Sequence, residues 1–220
     1  MIPVRVEGVR RNFTVTSAFL YSVSLIDDTG QRLLVFCLER HEALPIVVAL
    51  NHLTLPRPET IHLMAETLTL LHSQLSEVHI ESHSMLPPLY NLCECQLSFR
   101  TGETVQEQTR QMRPGDVVGL ALLMEAPIFV SDELFKQMGV LLAEGQTPEL
   151  VFARYLLKQE GITLPEGKKL RLGHSKTPLR DALVKEFKAS LFGKAPIFPE
   201  EDMERRKKEY LTFLLGESAH

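Results

Sequence analysis

The chain has 220 residues, 44% hydrophobic and 24% charged, enough for one sizeable domain or a medium domain with an appendage. No apolar run reaches the roughly 18–20 residues of a membrane span, and MIPVRVEGVRRNF lacks the basic-then-apolar pattern of an export signal; with three cysteines (Cys37, Cys93, Cys95), a reducing cytoplasm is the expectation. Residues 1–146 carry 10 Lys and Arg against 17 Asp and Glu, a net −7, and residues 147–220 carry 14 against 11, a net +3, so a nucleic-acid patch built on charge belongs to the second part.

VRVEGV (4–9) alternates and reads as a strand. SAFLYSVSLID (17–27) is apolar and β-branched, and RLLVFCL (32–38) follows the hairpin turn Asp27-Asp28-Thr29-Gly30. A helix is expected to start near His41 or Glu42, with Pro45 in its first turns. It is apolar on nearly every side and therefore buried. After the loop LPRPET comes a longer helix, about 59–74. Ile61, Met64, Leu68, Leu71 and Leu75 form a stripe on it, with Glu59, His62 and Glu66 opposite. Leu63 and Leu70 lie near that polar side, and apolar residues on both faces point to a sandwiched helix or a subunit interface, hence a homo-oligomer.

Strands follow at 76–82, 89–99 and 104–110, the last two joined at Thr101-Gly102. A helix over about 115–125 comes next, then a short strand PIFV (127–130) and a helix capped by Ser131. RLLVFCLERHEALPIVVAL and TVQEQTRQMRPGDVVGLAL share one pattern of strand, polar turn, acid and apolar helix. They are either a duplicated hairpin–helix unit or two ordinary joints. Beyond residue 146 the chain reads as a helical extension (147–220), including ERRKKEY (204–210), either a solvated helix face or a nucleic-acid contact. The fold class is α+β: a largely antiparallel, curved or barrel-like sheet with helices packed against it in residues 1–142, plus the extension.

The order of VRVEGV, RLLVFCL, HEALPI, LPRPETIHLMAETL and RPGDVVGLALLMEAPIFV resembles the bifunctional nuclease (BFN) domain family. The family usually reads Arg-Pro-Ser-Asp-Ala, an apolar helix, then Ala-Pro-Ile-Tyr-Val. Arg113, Pro114, Asp116, Ala126, Pro127 and Ile128 stand in place here, as do Glu42, Ala43, Arg57, Pro58 and Thr60. Ile61-His62 follows the threonine where the family tends to have His-Asp, and Gly115 replaces the serine. The resemblance implies hydrolysis of DNA and RNA phosphodiesters with little sequence preference, assisted by a divalent metal such as Mg²⁺ or Mn²⁺. A non-catalytic oligomeric binding or regulatory protein on the same scaffold is the other function class.

Each candidate has two readings. Asp116 either ligates a metal or activates water, or it caps its own helix, where a first-turn carboxylate meets free amides. Arg113 either steadies a phosphate or pairs with Asp116 or Glu42. Glu42 stands at the equivalent place in the first half and could share a metal with Asp116 if the two helix starts converge. Arg57 and Thr60 are substrate-contact candidates, with Arg57 alternatively tying its loop to Glu42 or Asp116. Glu59, His62 and Glu66 form a weak ligand triplet. Cys93 with Cys95, and His79 with His83, share strand faces by alternation, and buried inert thiols are the plainer reading of the cysteines.

Overall fold

A computed structural model of the protein describes residues 1–11, 21–55, 57–86 and 90–142. The helices and the basic run expected at 147–220 lie outside the described residues, as does the start of the strand expected from residue 17. Strands β1 (Ile2–Arg11), β2 (Tyr21–Asp27) and β3 (Arg32–Leu38) lead into helix α1 (Arg40–Leu50). Helix α2 (Thr60–Leu70) is followed by β4 (Ser73–Leu86), β5 (Tyr90–Thr101), β6 (Thr104–Met112), α3 (Pro114–Leu123), β7 (Ile128–Val130), α4 (Asp132–Met138) and β8 (Val140–Leu141). The pattern of three strands followed by a helix therefore occurs twice, as β1–β3 with α1 and as β4–β6 with α3.

The eight strands form one sheet in the order β6-β5-β4-β7-β1-β2-β3-β8. Every pairing is antiparallel except that of β4 with β7. The fold is thus α+β with a mostly antiparallel sheet, as composition and hairpin spacing imply. The sheet does not close into a barrel, because β6 and β8 remain separate ends of the order. It curls strongly nonetheless. Asn91 on β5 donates from Nδ2 to the Cys37 carbonyl on β3 at 2.5 Å, and the Phe36 and His83 rings meet at 5.5 Å. Five strand spacings separate β5 from β3, roughly 24 Å in a flat sheet, so only curvature can bring these residues together.

The main core gathers Leu25, Leu34, Phe36 and Leu38 from β2 and β3, Val78 and Ile80 from β4, and Ala43, Ile46, Val117, Leu120 and Ala121 from α1 and α3. Ile26, Leu33 and Val35, which alternate with these, bury a second face with Val140 and Leu142. Burial on both faces explains why RLLVFCL is a continuous apolar run and not an alternating one.

Two expectations are corrected. The second helix ends at Leu70 instead of reaching residue 74. His72 takes a left-handed turn (φ 54°) and the alternating run from Ser73 enters β4, so Leu75 is a buried strand residue. The packed side of α2 is Ile61, Ala65 and Leu68, while Met64 and Leu71 face outward. Apolar residues all round this helix left its inward face undetermined by periodicity. His79 and His83 lie on opposite faces, not on one. A bulge between Ile80 and Ser82 inverts the alternation, placing the His79 ring edge-on to Phe129 and the His83 ring against Phe36.

Candidate functional site

Helices α1 and α3 lie side by side and start at the same end. Gly115, in the first turn of α3, packs on Glu42 of α1 so closely that a Cβ there would lie 2.7 Å from the Glu42 carbonyl oxygen. One turn on, a Cβ at Gly119 would lie 3.3 Å from the Pro45 side chain. Two glycines four residues apart share one helix face, and it is their lack of side chains that lets α1 approach. GDVVG was the sequence signal for this crossing. With the helices aligned, the partial positive charges of both N-termini combine at one corner.

Glu42, only 2% exposed, is the buried anchor of that corner. The Glu39 N–H donates to its Oε2 at 2.8 Å, a capping-box bond that fixes the first turn of α1. Its Oε1 is buried with no hydrogen-bond partner. Burial pushes its carboxyl above the ordinary range and the nearby Asp116 adds to this, while the Glu39 amide, Arg113 and His41 pull the other way. Beneath it on β5, Cys93 and Cys95 are buried free thiols. The Cys93 thiol is pushed up by its hydrogen bond with Cys95, by burial and by Glu42, which makes it inert.

Asp116 and Arg113 lie in the open part of the corner. Arg113 Nε donates to Asp116 Oδ2 at 2.8 Å, with the two side chains 44% and 28% exposed. Of the two pairings open to Arg113 in the sequence, the structure shows the one with Asp116. The Arg113 guanidinium also meets His41 Nε2, and His41 Nδ1 lies 3.2 Å from Glu39 Oε2. Glu39, His41, Arg113 and Asp116 thus form a continuous polar row over the two helix starts. Sequence reasoning missed His41 and Glu39 as site residues. Their only signal was their place in ERHE, one turn away from a residue already singled out.

Arg57 and Thr60 are not at this corner. They are exposed on and just before the first residue of α2. The α2 residue His62 shares a cleft of about 410 Å³ with Leu50 and Leu53 past the end of α1 and with Leu122 and Leu123 at the end of α3. Most of α1, roughly 12 Å of helix rise from Glu42 to Leu50, separates that end from Glu42. Arg57 makes no tie to Glu42 or Asp116. His62, opposite the expected stripe, is not solvated. Both ring nitrogens are buried without hydrogen-bond partners, and burial lowers its basicity against the opposing pull of Glu59 and Glu66.

Neither Glu42 nor Asp116 is a wholly free carboxylate. Glu42 has one oxygen on a backbone amide and the other out of solvent reach, and Asp116 is engaged by Arg113. Among the described residues no group of three or more His, Cys, Asp or Glu side chains could hold a metal ion.

Two helix N-termini, an exposed guanidinium and an imidazole thus converge at the corner, beside the carboxylates of Glu39, Glu42 and Asp116. No helix among the described residues is long and apolar enough to cross a membrane. A family model described as the bifunctional nuclease domain matches residues 23–143, a span that contains both helices and every residue of the corner. Among curated proteins, none matches the chain.

Proposed function

Because the chain belongs to the bifunctional nuclease domain family, we propose that it hydrolyses phosphodiester bonds of DNA and RNA, with little sequence preference, at the corner where α1 and α3 begin. The observation that carries this reading is the convergence of two helix N-termini on the exposed Arg113. Backbone amides and a guanidinium recognise phosphate oxygens and carry no information about the base, which accounts for low sequence preference. Arg113 is the phosphate contact, Asp116 orients it, and Glu42 holds the first turn of α1 without touching the substrate. Arg57 and Thr60, at the far end of the helices, have no part in the bond-breaking step.

The buried free thiols of Cys93 and Cys95 support a reducing cytoplasm, and the bare apolar side of α2 supports a homo-oligomer. The non-catalytic reading draws on one observation, the lack of a three-donor metal cluster among the described residues. One assay separates the two. Labelled single- and double-stranded DNA and RNA are incubated with the purified chain in Mg²⁺, Mn²⁺ or chelator. Cleavage is expected, and Arg113→Ala should slow it roughly 10²-fold, the usual loss on removing one preorganised charge-stabilising donor. Binding without cleavage in every condition would replace the nuclease reading with that of a binding protein.

A further inference from the structure

We propose that His41 is the proton acceptor of the hydrolysis, oriented by Glu39, and that Arg113 masks it until a phosphate arrives. This rests on the nuclease reading of the same corner. A guanidinium has donors and no acceptor, so the Arg113 contact requires a lone pair on His41 Nε2. The Glu39 carboxylate can only accept, so its approach to within 3.2 Å of Nδ1 favours the proton on that nitrogen. Both neighbours thus select one tautomer, with Nδ1 protonated and Nε2 free to accept, the arrangement in which a carboxylate aims an imidazole base.

His41 is half exposed, with its side chain 50% accessible and Glu39 at 46%, so water and a nucleic-acid strand can reach it. Its position in the first turns of a rigid helix fixes the ring beside Arg113. A phosphate that engages the guanidinium at the two helix N-termini draws it from Nε2, and the freed lone pair then faces the water next to that same phosphate. In the step, the water oxygen forms a new P–O bond and its proton passes to His41 Nε2. The bond from phosphorus to the bridging oxygen breaks, its electron pair leaves with that oxygen, and the leaving oxygen takes a proton from solvent. His41 then returns its proton to solvent. Water and diester become monoester and alcohol, with no oxidant, reductant or further reactant.

The test is His41→Ala in the full chain, read with and without added imidazole. The expected result is a kcat lower by roughly 10²-fold, within the range of a positioned general base, a substrate Kd within about threefold of wild type, and partial recovery of kcat in millimolar imidazole. Circular dichroism establishes that the variant is folded, and Glu39→Gln should also lower kcat without responding to imidazole. If wild type cleaves and His41→Ala cleaves equally fast, or is slowed without imidazole recovery, His41 is not the proton acceptor and the nuclease reading stands without it. If wild type itself cleaves nothing, the nuclease reading fails first and this proposal with it.

Discussion

Glu42 carries two demands in one side chain. Its Oε2 is the cap of α1, while its Oε1 is buried with no partner. The folded state therefore holds the proton more tightly than the unfolded chain does, since burial raises the carboxyl from its ordinary 4.5. Above pH 4.5 the unfolded form ionises first, so this residue costs stability as pH rises from 4.5 to its folded value, and the cost is constant beyond that. Glu42→Gln keeps an oxygen acceptor for the Glu39 amide and removes the charge. In urea titrations the variant is expected to match or trail wild type near pH 4 and to gain on it steadily at higher pH. The gain should exceed the roughly 0.5 kcal/mol scatter of neutral substitutions. A difference between the two that does not change with pH would show that the carboxyl has no such shift. At this scale the sequence was legible where a residue acts through its own helix, as with Ser131, which accepts from the Leu134 amide at 3.1 Å. It was silent on His41, whose role depends on a neighbour 72 positions away.

Whether an element could be read depended on how many ways its apolar residues could face. The β3 run is apolar throughout and buried on both faces, so no orientation had to be chosen, and its limits at 32–38 were readable. The two acid-led helices could be paired because each follows a hairpin, and the close Gly115 and Gly119 contacts are what make that pairing tight. Helix α2 offered two self-consistent stripes, and the one that packs inward leaves Leu63 49%, Met64 39%, Leu70 79% and Leu71 65% exposed. Leu63 with Leu70 and Met64 with Leu71 are each one heptad apart, so the outer side of α2 carries a short apolar seam, which the homo-oligomer reading takes as its interface. Four such side chains together expose roughly 400 Å², comparable to the largest patch a typical monomer tolerates. The homo-oligomer reading then makes a measurable statement. Replacing Leu70 and Leu71 together by Lys should shift the sedimentation coefficient toward that of a single chain and leave the monomer's own folding intact, because neither side chain packs into its core. A wild-type chain that sediments as a monomer at micromolar concentration would remove the seam from consideration.

At the scale of the whole molecule, the position of the corner depends on the curl of the sheet. The sequence indicates a curved antiparallel sheet through its short hairpins, but curvature is a sum over many small twists, and no single residue type reports it. Across the curl, side chains meet between strands that are not hydrogen-bonded neighbours. Asn91, 3% exposed, is bonded to the Cys37 carbonyl and to His83, and the His83 ring lies against Phe36. Cys37 is two residues before Glu39, so this seam fixes the end of β3 from which α1 departs and thus the place of His41 beside Arg113. Asn91→Leu fills the site with similar volume but removes both hydrogen bonds, leaving buried polar groups short of a partner at a cost of about 1–3 kcal/mol. The expected result is a lower urea midpoint with an unchanged m-value, together with faster amide exchange concentrated at residues 37–42 and less cleavage than the stability loss alone explains. Uniform exchange across the sheet at the same loss of stability would show instead that the curl is held by the core as a whole, and that the seam has no particular hold on the corner.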